Sequence, residues 1–133
     1  MTRSYWTASS RDARRIASRP ASRRIRAARD AALNTALVDA ALAPLDVMRT
    51  AVALLPDLLF VAEQGNPNAA SDAAVGALMV KTCVHGSAYN TLINVKSLGE
   101  HPMAAALKAD CQTIRAACDS FAAMVLATVE AKL

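Results

Sequence analysis

Between Ser71 and Ser97 the chain is apolar at Val75, Leu78, Met79, Val80, Val84, Leu92, Ile93 and Val95. At the period of a helix these positions run almost all the way round the axis instead of lining one side. A helix of that kind is normally buried on several sides, so the rest of the chain must supply partners for it. The remainder suits that task. Only four Gly and five Pro occur in 133 residues, so turns are few and the elements between them are long. Hydrophobic residues make up 54% but aromatics only 4%, so the apolar share comes from Ala, Leu, Val and Met, mostly good helix formers. No internal repeat and no strand-like alternation is present. The expected fold is all-α: one helical bundle of long antiparallel helices, large enough to bury a core without metal or disulfide support.

Proline and glycine punctuate the helices. Leu33, Ala36, Leu37, Ala40 and Ala41 share a face, on a helix that becomes regular near Ile25 and that Pro44 ends or follows with a new one. The next stretch carries Leu45, Met48, Val52, Leu55 and Leu59 on one face as far as about Glu63. Pro56 lies inside it and should bend it. Gly65 has the place of a C-terminal cap, Ser71 that of an N-cap, and Asp72 suits the positive end of the helix dipole. Gly99 and Pro102 separate the long helix from a last amphipathic one over about 102–131. Its stripe is Met103, Leu107, Ile114, Cys118, Phe121 and Val125, with Lys108, Gln112, Arg115 and Asp119 off the stripe.

Charge divides the chain in two. Residues 1–30 hold nine Arg and two Asp, a net +7, whereas the rest hold six Lys/Arg and nine Asp/Glu, a net −3. We therefore separate a basic, poorly packed Arg/Ala/Ser-rich leader (1–26) from a helical domain (27–133). The leader has three readings: a tail binding nucleic acid, a transit peptide, or a start that is mis-framed or mis-assigned. Ile16 and Ile25 are too sparse to form a core stripe, and the third reading is favoured. No apolar run is long enough for a membrane span, and no secretory h-region is visible, so a cytoplasmic protein is expected. Cys83, Cys111 and Cys118 have no metal-ligand spacing, so no metal is expected. Cys111 and Cys118 should pack as small hydrophobes in a reducing compartment.

Two groups of polar residues remain. Asn66, Asn68, Ser71 and Asp72 cluster where the chain turns into the long helix. Gly86, Asn90 and Asn94 follow at i, i+4, i+8 on that helix. The first group is explained by a turn and a cap, or by the wall of a site. The asparagines either fix bundle register or bind a ligand. Asp72 and Asn90 lie about 27 Å apart at the helical rise, so a shared ligand must be long or a second subunit must supply one of them. His85 and His101 have no acidic partner nearby in sequence. Lys81, on the apolar helix, either snorkels or pairs with a carboxylate or anion.

"GNPNAASDAAVGALM" followed by "GSAYNTLINVKSL" resembles the folate-dependent cyclodeaminase/cyclohydrolase family, which includes the cyclodeaminase domain of formiminotransferase-cyclodeaminase and the methenyltetrahydrofolate cyclohydrolases. The shared pattern is a G-N-x-x-x-x-S-D corner and an N-x-x-x-N pair, here Gly65, Asn66, Ser71, Asp72, Asn90 and Asn94. "ALVDAALAPLDVMRTA" resembles a further helix of the family, and the likeness covers roughly residues 27–133. It implies a tetrahydrofolate derivative as substrate, hydrolysis of a methenyl group or elimination of ammonia from a formimino group, and a homodimer. It implies substrate-binding roles for Asn66, Asn68, Ser71, Asp72, Asn90 and Asn94. The family's P-G-G-G-S loop, and the early helix bearing a functional acidic residue, have no counterpart here. No catalytic base is therefore carried over, and a truncated, inactive member is the corresponding expectation. The contrasting reading is a non-catalytic helical interaction module with a basic tail, the asparagines serving as its register device.

Overall fold

A computed structural model describes the backbone of residues 6–133 and the side chains of residues 21–133. It contains α1 (Trp6–Val52), α2 (Leu55–Gln64), a 3₁₀ turn (Pro67–Ala69), α3 (Ala70–Leu98) and α4 (Pro102–Glu130), with no strand among the described residues. The all-α expectation holds. The chain divides into two compact units, Met1–Ala36 and Leu37–Leu133. In the first, every described side chain is exposed, including Leu33 and Ala36, which the sequence placed on a packed face. The side chains of residues 1–20, most of the basic leader, lie outside the described residues.

In the second unit the core is built from Ala41, Leu45, Met48 and Ala51 of α1, Leu55 and Ala62 of α2, and the inward rows of α3 and α4. Many of these residues are alanines (Ala70, Ala73, Ala77, Ala88, Ala104, Ala122), whose small side chains let helix backbones approach closely. The link Gly99–His101 turns α3 back on α4, and contacts run in opposite chain order along the pair (Ala88 to Cys111, Lys81 to Asp119), so the two helices are antiparallel. Gly99 ends α3 at φ +59°, the left-handed conformation that favours glycine. Cys111 and Cys118 are buried as expected, and burial raises both thiol pKa values above the usual range.

Three boundary expectations are corrected. Pro44 neither ends nor begins a helix; α1 passes through it. Proline at this position leaves the carbonyl of Ala40, four residues back, without its helical donor. The side-chain amide of Asn94 on α3 donates to that carbonyl at 2.9 Å and replaces the lost bond. Pro56 does not bend a helix either. The chain breaks at Ala53–Leu54, and Pro56 falls in the first turn of α2, where no intrahelical donor is required. Ser71 is not an N-cap. The preceding 3₁₀ turn runs directly into α3, so the cap of α3 is Ala69, while Asn66 caps the 3₁₀ turn by accepting the Asn68 N–H at 3.0 Å. Asp72 does lie in the first turn.

The long helix also differs from expectation. Its inward face (Ala73, Ala77, Val80, Val84, Ala88, Thr91, Val95) is buried, but Val75, Leu78, Met79, Tyr89 and Ile93 are exposed, Met79 at 68% and Ile93 at 63%. Within the second unit α2, α4 and the end of α1 cover one side of α3 only. Apolar character all round the helix therefore does not translate into burial all round.

Candidate functional site

The corner at the head of α3 is held from both sides. Gly65 is the C-cap of α2 in an extended conformation, with its N–H donated to the Val61 carbonyl at 2.9 Å. A Cβ here would collide with that same carbonyl, so glycine is required for close approach. On the far side the Lys132 ammonium donates to the carbonyls of Ala62 at 2.6 Å and Glu63 at 2.9 Å. A cation on the last carbonyls of a helix satisfies orphan acceptors and complements the dipole. Asn66, Asn68, Ser71 and Asp72 all project from this fixed corner as exposed groups.

Asn90 and Asn94 lie on the same continuous helix, about five turns away, so the structure does not bring the corner and the asparagine pair together within one chain. The two asparagines differ. Asn94 is half-buried, and its amide donates to the Ala40 and Asn90 carbonyls, leaving its carbonyl oxygen unengaged. Asn90 is exposed, and its side chain bonds no described residue.

A further cluster, not anticipated from sequence, lies between α3 and α4. Asp119 Oδ1 accepts from Lys81 Nζ at 3.0 Å and from His85 Nε2 at 2.9 Å. Arg115 Nη2 lies 3.4 Å from His85 Nδ1, and its guanidinium sits over the Tyr89 ring at 5.8 Å. Lys81 thus pairs with a carboxylate, and His85 has the acidic partner that its neighbours in sequence did not supply. Hydrogen bonds from His85 and then Lys81 hold the Asp119 carboxyl below the usual carboxylate pKa. A guanidinium only donates, so Nδ1 must accept and Nε2 must carry the proton given to Asp119. Both ring nitrogens are then engaged, and the cluster clasps α3 to α4. The signal in the sequence was the facing rows Lys81/His85/Tyr89 and Arg115/Asp119, each at four-residue steps. His101 is also structural: its Nδ1 accepts the Met103 N–H at 3.2 Å and caps α4.

Two shallow grooves of about 410 Å³ flank the outer ridge of α3. Lys81, His85, Gly86 and Tyr89 line the first and Val75, Met79 and Cys83 the second, with Leu78 and Thr82 common to both. No group of three or more metal-ligating side chains occurs among the described residues. None of the helices searched there is long and apolar enough to cross a membrane.

The family model described as formiminotransferase-cyclodeaminase matches residues 14–113, three quarters of the chain. The chain belongs to the formiminotransferase-cyclodeaminase family. No curated protein matches it. The family match contains the corner, all of α3 and both asparagines, and it begins within the segment read as a leader. Arg115 and Asp119 lie beyond its end, so half of the interhelical clasp falls outside the region shared with the family.

Proposed function

We propose that the chain takes a one-carbon derivative of tetrahydrofolate as its substrate, as a cytoplasmic homodimer, through Asn66, Asn68, Ser71, Asp72, Asn90 and Asn94. The observation carrying this reading is the corner itself: Asn66, Asn68, Ser71 and Asp72 exposed side by side on a turn held by Gly65 and Lys132, inside the segment that matches the family. A methenyl or formimino carbon is an amidinium-like cation. Asp72 is a carboxylate of the right sign to stabilise it, and asparagine amides suit the donor–acceptor edge of a pterin. Hydrolysis of the methenyl bridge consumes water at that carbon, whereas cyclodeamination expels ammonia from it. Both reactions need an electrostatic partner for the cation and a positioned proton acceptor.

The test is to follow loss of the methenyl-tetrahydrofolate chromophore and release of ammonia from formimino-tetrahydrofolate, with this chain alone and with the family's N-terminal portion supplied. Turnover only in the second case supports the proposal, as does binding without turnover in the first. No folate binding in either case would leave the interaction-module reading, which the exposed apolar stripe of α3 favours.

A further inference from the structure

We infer that Pro44 is a positioning residue for the folate site. By removing a donor from α1 it fixes the Asn94 amide, so that Asn94 offers a ligand an acceptor, Oδ1, and no donor. The ligand group that meets Asn94 is therefore an N–H. The orientation stands on the protein's own geometry; its consequence for the ligand rests on the folate reading above.

A side-chain amide donates at one end and accepts at the other, and the two ends have nearly the same shape. The groups that hold the amide decide which end is left for a ligand. Asn94 Nδ2 lies 2.9 Å from the Ala40 carbonyl of α1 and 3.0 Å from the Asn90 carbonyl of its own helix. Both partners can only accept, so the nitrogen must be the end between them, and both of its hydrogens are used. The reversed amide would set Oδ1 against two carbonyl oxygens and lose both bonds.

The two carbonyls do not hold the amide equally. Inside a continuous helix the Asn90 carbonyl already receives the backbone N–H four residues on. The Ala40 carbonyl has no such donor, because residue 44 is proline, and it is open to a donor from outside α1. Asn94 is that donor, and both Pro44 and Asn94 are half-buried where the helices meet. A residue with an N–H at 44 would return the Ala40 carbonyl to its own helix and free the Asn94 amide to turn. One residue of α1 thus sets the hydrogen-bonding polarity of a group on α3. Asn90, one turn earlier, is the contrast: it is exposed and its side chain bonds no described residue, so it can present either end. The pair offers a fixed acceptor beside an adjustable group. In a folate the pterin part carries N–H groups and a formimino substituent carries its own.

The test is side-chain amide NMR of the isotope-labelled full chain, with the Asn94 signals assigned by their absence from Asn94→Ala. Without ligand, Pro44→Ala should keep the far-UV helix signal and speed exchange of the Asn94 amide protons about fivefold, the equivalent of one neutral hydrogen bond. On adding tetrahydrofolate, those protons should stay protected while the Asn94 side-chain carbonyl carbon shifts downfield. A shift with tetrahydrofolate assigns the N–H to the pterin part, and a shift only with formimino-tetrahydrofolate assigns it to the formimino group. In calorimetry Pro44→Ala should weaken binding about fivefold, the cost of ordering one freed side chain. In an Asn94→Ala background the same change should alter binding less than about twofold, because no amide is left to position. Exchange indifferent to Pro44→Ala, amide protons released by the ligand, or an equal effect of Pro44→Ala with and without Asn94 would each overturn the inference. Exchange that accelerates as expected in a chain that binds no folate keeps the fixed amide and removes only the folate reading.

Discussion

Pro44 and Asn94 are fifty residues apart in the chain, yet they should be energetically coupled through a single carbonyl. Proline at 44 removes the donor that Ala40 would use in a continuous helix, and the Asn94 amide donates in its place at 2.9 Å. A neutral hydrogen bond of this kind contributes about 1 kcal/mol net. Ala40 is exposed, so water can reach the stranded carbonyl and keeps the loss from rising above that figure. Asn94→Ala also gains about 0.5 kcal/mol of helix propensity, so its measured destabilisation should be small, roughly 0.5 kcal/mol. The informative quantity is the coupling. In a Pro44→Ala background the new N–H of residue 44 occupies the Ala40 carbonyl, and Asn94→Ala should become neutral or slightly stabilising. Urea unfolding of wild type, both single variants and the double variant, followed at 222 nm with a common slope, should give a coupling of about 1 kcal/mol. Additivity within about 0.3 kcal/mol would refute the view that Asn94 substitutes for the bond that Pro44 deletes.

Thr91 is fully buried, and its hydroxyl has no partner among the described residues, so Thr91→Val should raise stability by about 1 kcal/mol in the same urea assay. Lys132→Met should destabilise by about 1 kcal/mol and speed hydrogen exchange at the end of α2, because two last-turn carbonyls lose their cation. Asp119 has a lowered pKa in the fold, so its contribution is complete above the unfolded carboxyl value of about 4 and fades as pH falls through the folded value. Asp119→Asn should remove that acid-side loss of stability while leaving the profile above about pH 5 parallel to wild type, measured as urea midpoint against pH.

The fold was legible because its signals are repeated. Few turn residues, apolar positions at helical spacing and the Gly99–Pro102 break all point to the same four-helix reading of the chain, and each helix carries several of them. The misplacements come from single residues whose meaning depends on distant partners. Pro44 reads as a terminus until Asn94, on another helix, is seen to supply the missing donor. Pro56 reads as a kink until the break before it places it in a first turn. Ser71 reads as a cap because the 3₁₀ turn that Asn66 and Pro67 set up in front of it has no periodic signature.

The site divides along the same line. Asn66, Asn68, Ser71, Asp72, Asn90 and Asn94 could be named from local pattern, but their separation along α3 follows only from the helix being continuous. The pairing of His85 with Asp119 depends on the antiparallel register of α3 and α4, which no short window of sequence contains. The exposure of Met79 and Ile93 was hidden for a different reason. Hydropathy records what a side chain prefers, not how many helices are at hand to cover it.

Equilibrium titration of the chain with tetrahydrofolate, by calorimetry, bears on the folate reading with no requirement for turnover. Saturable binding, weakened about tenfold or more by Asp72→Ala and separately by Asn90→Ala but unchanged by Asp119→Asn, is the expected result. No binding, or binding indifferent to Asp72 and Asn90, would contradict it.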